Sequence, residues 1–237
     1  VPWTRRDGGG IPLMDRLEAL RERGALPGYI AVEGPIGVGK TTLARRLAET
    51  LNYEVFLEQT GENPFLERFY RDPRGYALQT ELFFLFQRAE QLRQMRQNNL
   101  FEQVRVSDFL IEKNRLFAEV NLDEDEYQLY ENVHQHLTLD APAPDLVVYL
   151  QAPTEVLRER ILRRGAAHEH NISGDYLEEL NEAYTRFFHF YDDAPLVIVN
   201  ATELDIVNSE RDYEELVRFL LDIRSGRHYF NPRSLAG

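Results

Sequence analysis

Residues 30–45 read Ile30-Ala-Val-Glu-Gly-Pro-Ile-Gly-Val-Gly-Lys-Thr-Thr-Leu-Ala-Arg45. Inside this stretch, Gly34-x-x-x-x-Gly39-Lys40-Thr41 is a full P-loop motif. Its flanks fit. Tyr29-Ile-Ala-Val-Glu33 reads as a buried strand, and Lys40 to Ala48 as an amphipathic helix with Leu43 and Leu47 on one face. Glycines let the chain turn tightly and aim successive N–H groups at an anion, and the helix N-terminus adds positive potential. The motif therefore predicts phosphate contacts along Gly34, Pro35, Ile36, Gly37, Val38, Gly39, Lys40, Thr41 and Thr42. Lys40 reaches the outer phosphates, and the Thr41 hydroxyl ligates the magnesium that travels with a nucleotide.

Outward from this loop, Tyr53–Leu57, Val104–Ser107, Asp145–Gln151 and Leu196–Asn200 read as four more short apolar strands. Helical patterns separate them: a short one after Asn63-Pro64, a long one from Gly75 to Asn98, one that follows Asp108 through Val120, and others at 123–139, 153–164, 173–192 and 210–224. Five strands alternating with helices predict an α/β fold with a five-stranded parallel sheet covered by helices on both faces. Ligands in such folds sit at the carboxyl ends of the strands. That rim gathers Glu33 to Lys40, Glu58, Asp108 and the segment after Gln151. Residues 1–28 read as a peripheral extension, with 1–13 set outside the fold; 29–224 form one domain, and 225–237 a tail without pattern.

With 237 residues, 43% of them hydrophobic, the chain can bury one substantial core. Forty acids against 27 bases give a net charge of −13 and leave no basic run. That argues against a nucleic acid polymer or an anionic membrane as partner. Cysteine is absent, which excludes disulfides and cysteine chemistry. No apolar run approaches spanning length and no signal peptide is visible, so a cytoplasmic location is the simplest reading. Lys40 and Lys113 are the only lysines. The acids at 123–126 read as the surface of a helix start.

A P-loop alone does not separate switch GTPases, motors and kinases. Asp72-Pro-Arg-Gly75 matches a GTPase element by letters but precedes a helix, and the third strand ends in a single Asp108, without the adjacent acids of a motor. Phosphoryl transfer to a small alcohol needs a carboxylate near the acceptor, movable positive charge over the phosphates and a shaped pocket. Glu58 closes the second strand at the correct rim. Arg160, Arg163 and Arg164 cluster on one helix before Gly165. Tyr70, Gln79, Phe83 and Phe86 come from adjoining helices, the last three on one face by i, i+4, i+7 spacing.

Five stretches then carry a specific resemblance: Ala31 to Ala44; Glu58-x4-Asn63-Pro-Phe-Leu-x-x-Phe-Tyr70; Gln79-x-Glu-Leu-Phe-Phe84; Ser107-Asp-x4-Lys-Asn-x-x-Phe-Ala118; and Arg160-x3-Arg-Gly165-x3-Glu169-x6-Tyr176-Leu. In order and spacing, over about residues 29–180, the chain resembles the bacterial deoxynucleoside kinases, the deoxyguanosine kinase branch in particular. The resemblance implies a P-loop kinase fold, ATP and Mg as donor and metal, a nucleoside acceptor and a homodimer packed through helices, with surplus apolar area at 82–86. It implies Glu58 as the base for the sugar 5′-hydroxyl, Gln79 on the base edge, Phe86 as pocket wall and Phe117 stacked on the base. Tyr70 and Glu169 would grip the 3′-hydroxyl, Arg160 and Arg164 would clamp phosphates, and Asp108 would act on the metal or the sugar. Two positions depart from the wider family. Phe109 stands where many members carry arginine, as also in the deoxyguanosine kinase branch, and Ala166 where a further lid arginine is common. Deoxyadenosine or deoxycytidine as acceptor stays open, as do a monophosphate acceptor met by Arg68, Arg71 and Arg74, and a sensor without turnover.

Overall fold

A computed structural model describes residues 11–97, 104–137, 142–166, 169 and 171–232. Its centre is a parallel sheet of β1 (Tyr29–Glu33), β2 (Glu54–Phe56), β3 (Arg105–Ser107), β4 (Leu146–Gln151), β5 (Leu196–Asn200) and β6 (Arg227–Phe230). The strand order is β2-β3-β1-β4-β5-β6. Every neighbouring pair is parallel.

Period-two alternation builds the two cores. Ile30, Val32, Val148 and Val197 face one way, onto Leu43 and Leu47 of α2 (Lys40–Leu51) and Leu216 of α9 (Glu210–Leu220). Ala31, Val147, Tyr149 and Ile198 face the other way. They meet Leu116 of α5 (Lys113–Asn121) and Leu180, Tyr184 and Phe188 of α8 (Gly174–Phe190). Those last three recur at four-residue steps, the seam of an amphipathic helix. The remaining helices stand over the rim: α3 (Leu66–Arg71), the 25-residue α4 (Pro73–Gln97), α6 (Glu124–His136) and α7 (Thr154–Arg164). Asp123 and Glu126 form a reciprocal cap that starts α6, so the acidic run is a helix start.

Two readings need correction. The sheet has six strands, because β6 lies in the tail that was expected to be patternless. Only Phe230 of this edge strand is buried, so its sequence shows no apolar alternation. The segment read as peripheral supplies α1 (Leu13–Glu22), whose Leu13 and Leu17 pack into the main core. Residues 1–10 lie outside the described part. Among the described residues, no helix is long and apolar enough to cross a membrane.

Candidate active site

The chain leaves β1 in one direction to build β2 and β3, and in the other to build β4 to β6. Such a reversal opens a crevice at the carboxyl ends of the strands. The P-loop fills it. Gly34 has φ +147°, and a Cβ there would stand 2.5 Å from the Leu150 carbonyl oxygen. Gly37 has φ +84°, and a Cβ would meet Ile161 at 2.8 Å and the Leu157 carbonyl at 2.9 Å. Both positions require glycine for conformation and for space. Lys40 opens α2 and donates to the Gly34 and Pro35 carbonyls at 2.7 and 3.1 Å. Burial, and then the charge of Lys113, push its pKa down.

Glu33, the last residue of β1, is fully buried and ties three segments together. One oxygen accepts from the Gly34 N–H and the Tyr184 hydroxyl, both at 2.9 Å; the other accepts from the Leu110 N–H at 2.8 Å. It fixes the start of the P-loop against the loop after β3. Beside it, Asp108 binds the Thr41 hydroxyl at 2.5 Å and the Glu58 N–H at 2.7 Å, one with each carboxylate oxygen. A hydroxyl and a carboxylate are hard oxygen donors, which fit Mg²⁺.

Glu58 sits where this phosphate cradle meets a second space enclosed by α3, α4, α5 and α8. Its carboxylate receives Arg88 on one oxygen and Lys113 on the other, the latter at 3.1 Å. Arg88 also donates to Asn114, and both cations are buried. Burial by itself would raise the Glu58 pKa, but Lys113, Arg88 and Lys40 outweigh it and bring it down to about 2. Phe69, Tyr70, Phe117 and Tyr176 wall this space. Tyr70 and Tyr176 stand 6.4 Å apart between ring centres, and Phe117 meets Tyr184 edge-on at 6.1 Å. The cavity measures about 110 Å³. Ligand pockets usually exceed roughly 300 Å³, so a nucleoside-sized guest needs this cavity to widen.

Of the residues expected at the site, Lys40, Thr41, Glu58, Tyr70, Asp108, Phe117, Arg164 and Glu169 share this one cleft. Arg164 donates to both oxygens of Glu169 and so closes the cleft from α7. Arg160 lies next door. It donates to the carbonyls of Val38, at 3.0 Å, and Ala201, at 2.7 Å, pinning the P-loop to the segment after β5. It borders a groove of about 700 Å³ that runs along Gly37–Thr42. Arg163 is exposed and pairs with Glu159.

Gln79 and Phe86 do not line the cleft. Gln79 is exposed, and Phe86 is 52% exposed over a shallow depression behind Glu58. The shared face of Gln79, Phe83 and Phe86 is real but turned away. The inward face of α4 carries Thr80, Glu81, Phe84 and Arg88. An error of two residues is a helix rotation of about 200°. Glu81, Arg88, Lys113 and Tyr176 escaped the sequence reading as site residues, and Glu33 was placed on the rim without a role of its own. Lys113 left a signal, since a chain with two lysines places both on one cleft. The spacing of Glu81 and Arg88, seven residues and about two turns apart, was another.

Comparison with known proteins gives the family. The model of the deoxynucleoside kinase family matches residues 30–223. A deoxyguanosine kinase of Bacillus subtilis is 32% identical over 200 residues, covering 82% of this chain and 97% of the relative. A deoxyadenosine/deoxycytidine kinase of the same organism is 29% identical, covering 79% and 89%. The structure of a deoxyadenosine kinase from M. mycoides, with products dCMP and a flexible dCDP bound, superposes with a TM-score of 0.70 at 29% identity, over 81% of this chain and 97% of the other. The chain belongs to the deoxynucleoside kinases.

Proposed function

We propose that this kinase transfers the γ-phosphoryl group of ATP to the 5′-hydroxyl of a purine deoxynucleoside, deoxyguanosine foremost, in nucleotide salvage in the cytoplasm. The observation that carries the reading is the position of Glu58, between the phosphate cradle of Lys40 and Thr41 and the pocket walled by Tyr70 and Phe117. The P-loop amides and Lys40 hold the donor phosphates. Thr41 and Asp108 hold Mg²⁺, which supplies charge neutralisation at the phosphates when bound. Glu58 aligns the 5′-hydroxyl and accepts its proton. A carboxylate held near pKa 2 is a weak base. That suffices for a loose transition state, in which the attacking hydroxyl keeps its proton until late and alignment supplies most of the catalysis. Arg164 moves from Glu169 to the phosphates on closure, freeing Glu169 and Tyr70 for the 3′-hydroxyl; Arg160 braces the loop it closes on. Identity with a deoxyguanosine kinase supports guanine as base.

A monophosphate acceptor is disfavoured. Arg68, Arg71 and Arg74 are exposed and none lines the cleft; Arg71 pairs with Glu67 and Arg68 lies over Tyr76. We place a homodimer contact on the Phe83–Phe86 side of α4, since Leu82 packs within the chain and Phe86 does not. Labelled ATP and Mg²⁺ with each of the four deoxynucleosides and their monophosphates test the activity. Transfer to deoxyguanosine above the others is expected. No transfer to any nucleoside would leave a nucleotide sensor as the surviving reading.

A further inference from the structure

Besides Glu58, Asp108 and Glu169, the cleft holds a buried carboxylate that the phosphoryl transfer does not use. Glu81 is 2% exposed, on the inward face of α4. It stands in the space where the resemblance placed the amide of Gln79. Its Oε1 accepts from Asn121 Nδ2 at 2.7 Å. Two other residues of the same helix that line the cavity each carry a buried polar atom without a hydrogen-bond partner among the described residues: Thr80 Oγ1 and Arg88 Nε. Buried polar atoms left unpaired are costly, so such a cluster points to a polar guest.

We propose that the protonation state of Glu81 selects the base of the deoxynucleoside. The ionised form accepts from N1–H and N2–H of guanine and has no donor for the ring nitrogen of adenine or cytosine; the protonated form, one donor and one acceptor, admits adenine or cytosine as well. This inference rests on the deoxynucleoside kinase reading above. Its logic is the donor and acceptor pattern of the bases. Guanine offers two adjacent donors beside a carbonyl. Adenine and cytosine each offer one donor beside a ring-nitrogen acceptor. A carboxylate has acceptors only, a carboxylic acid has both, and an amide has both at every pH. Arg88 Nε–H and the Thr80 hydroxyl can donate to the guanine carbonyl, whereas the amino groups of adenine and cytosine offer them no acceptor there.

The groups around Glu81 allow both states near neutrality. Burial raises its pKa, the Asn121 hydrogen bond and Arg88 oppose that, Glu58 adds to it and Lys113 opposes it, leaving about 7. Tyr70 on α3, Tyr130 on α6 and Tyr176 on α8 also feel its charge, and burial keeps all three protonated. No cation pairs directly with Glu81 among the described ion pairs.

The test is kcat/KM for deoxyguanosine, deoxyadenosine and deoxyinosine from about pH 6 to pH 8.5, in the wild-type chain and in Glu81→Gln. If one proton decides, the wild-type deoxyguanosine to deoxyadenosine ratio rises with pH and approaches tenfold per pH unit where Glu81 is mostly ionised; groups that serve both substrates cancel in the ratio. Deoxyinosine, lacking the N2 amino group, falls about tenfold or more below deoxyguanosine. In Glu81→Gln the ratio becomes independent of pH and falls about tenfold or more below that of the wild type at about pH 8.5, because the amide admits both bases. A pH-independent ratio in the wild type overturns the inference while leaving the kinase reading intact, and it needs no variant that folds. An unchanged guanine preference in a folded Glu81→Gln also overturns it. Absence of transfer to any deoxynucleoside overturns both.

Discussion

The donor and acceptor halves of the site lie side by side but are encoded differently. The donor half is a run of local backbone. Positive φ at Gly34, Gly37 and Gly39, with Lys40 and Thr41 following at once, puts the whole P-loop cradle within about ten residues of sequence. The acceptor half is assembled from α3, the inward face of α4, the end of β2, α5 and α8, and its geometry depends on helix register. A change in the donor half is a backbone event and should act on nucleotide binding. A change in the acceptor half should act on the nucleoside and spare the nucleotide.

The largest effect on that contrast is expected from Gly34→Ala. Its Cβ would overlap the Leu150 backbone at a φ that alanine avoids. Binding of a fluorescent ATP analogue should weaken about 100-fold, with Tm lower by roughly 3–10 °C if the strain costs about 1–3 kcal/mol. Binding within twofold of wild type would show the loop to be less constrained than its geometry implies.

Next comes pH, where two carboxylates of one cleft pull in opposite directions. Glu58 has its folded pKa lowered from 4.5 to about 2, so it contributes stability above about pH 4.5 that is lost as pH falls toward 2, up to about 3 kcal/mol. Glu81 has its pKa raised from 4.5 to about 7, so its contribution is full below about pH 4.5 and is lost as pH rises through 7. Denaturant unfolding across pH should show Glu58→Gln flattening the acid limb and Glu81→Gln flattening the neutral one. A swap of these assignments would mean that the cations lie closer to Glu81.

The smallest effects sharpen the register. Gln79→Ala and Phe86→Ala remove exposed side chains of α4 and should change kcat/KM for deoxyguanosine by less than about twofold, with stability within about 0.5 kcal/mol. A hundredfold loss at Gln79 would place the base on the opposite face of α4.

This contrast also sets what the sequence made legible. The P-loop, the order of the first five strands and the rim positions of Glu58 and Asp108 follow from local pattern, and all were readable. α4 was readable as a helix but not in rotation, because Leu82 to Phe86 are apolar all the way round and single out no buried face. Arg88 and Lys113 look like solvated charges until the fold buries them against Glu58. β6 escaped because an edge strand buries one residue of four; α1 was legible as a short helix over 15–23, but not the packing of Leu13 and Leu17 into the core.

The account turns on Glu58 as the group that meets the acceptor alcohol. Its most direct test is Glu58→Gln, measured for ATP affinity and for turnover of deoxyguanosine, with Tm as the control for folding. Retained ATP affinity with turnover reduced about 10²-fold or more is the expected result. A folded Glu58→Gln that phosphorylates deoxyguanosine at the wild-type rate would contradict the account.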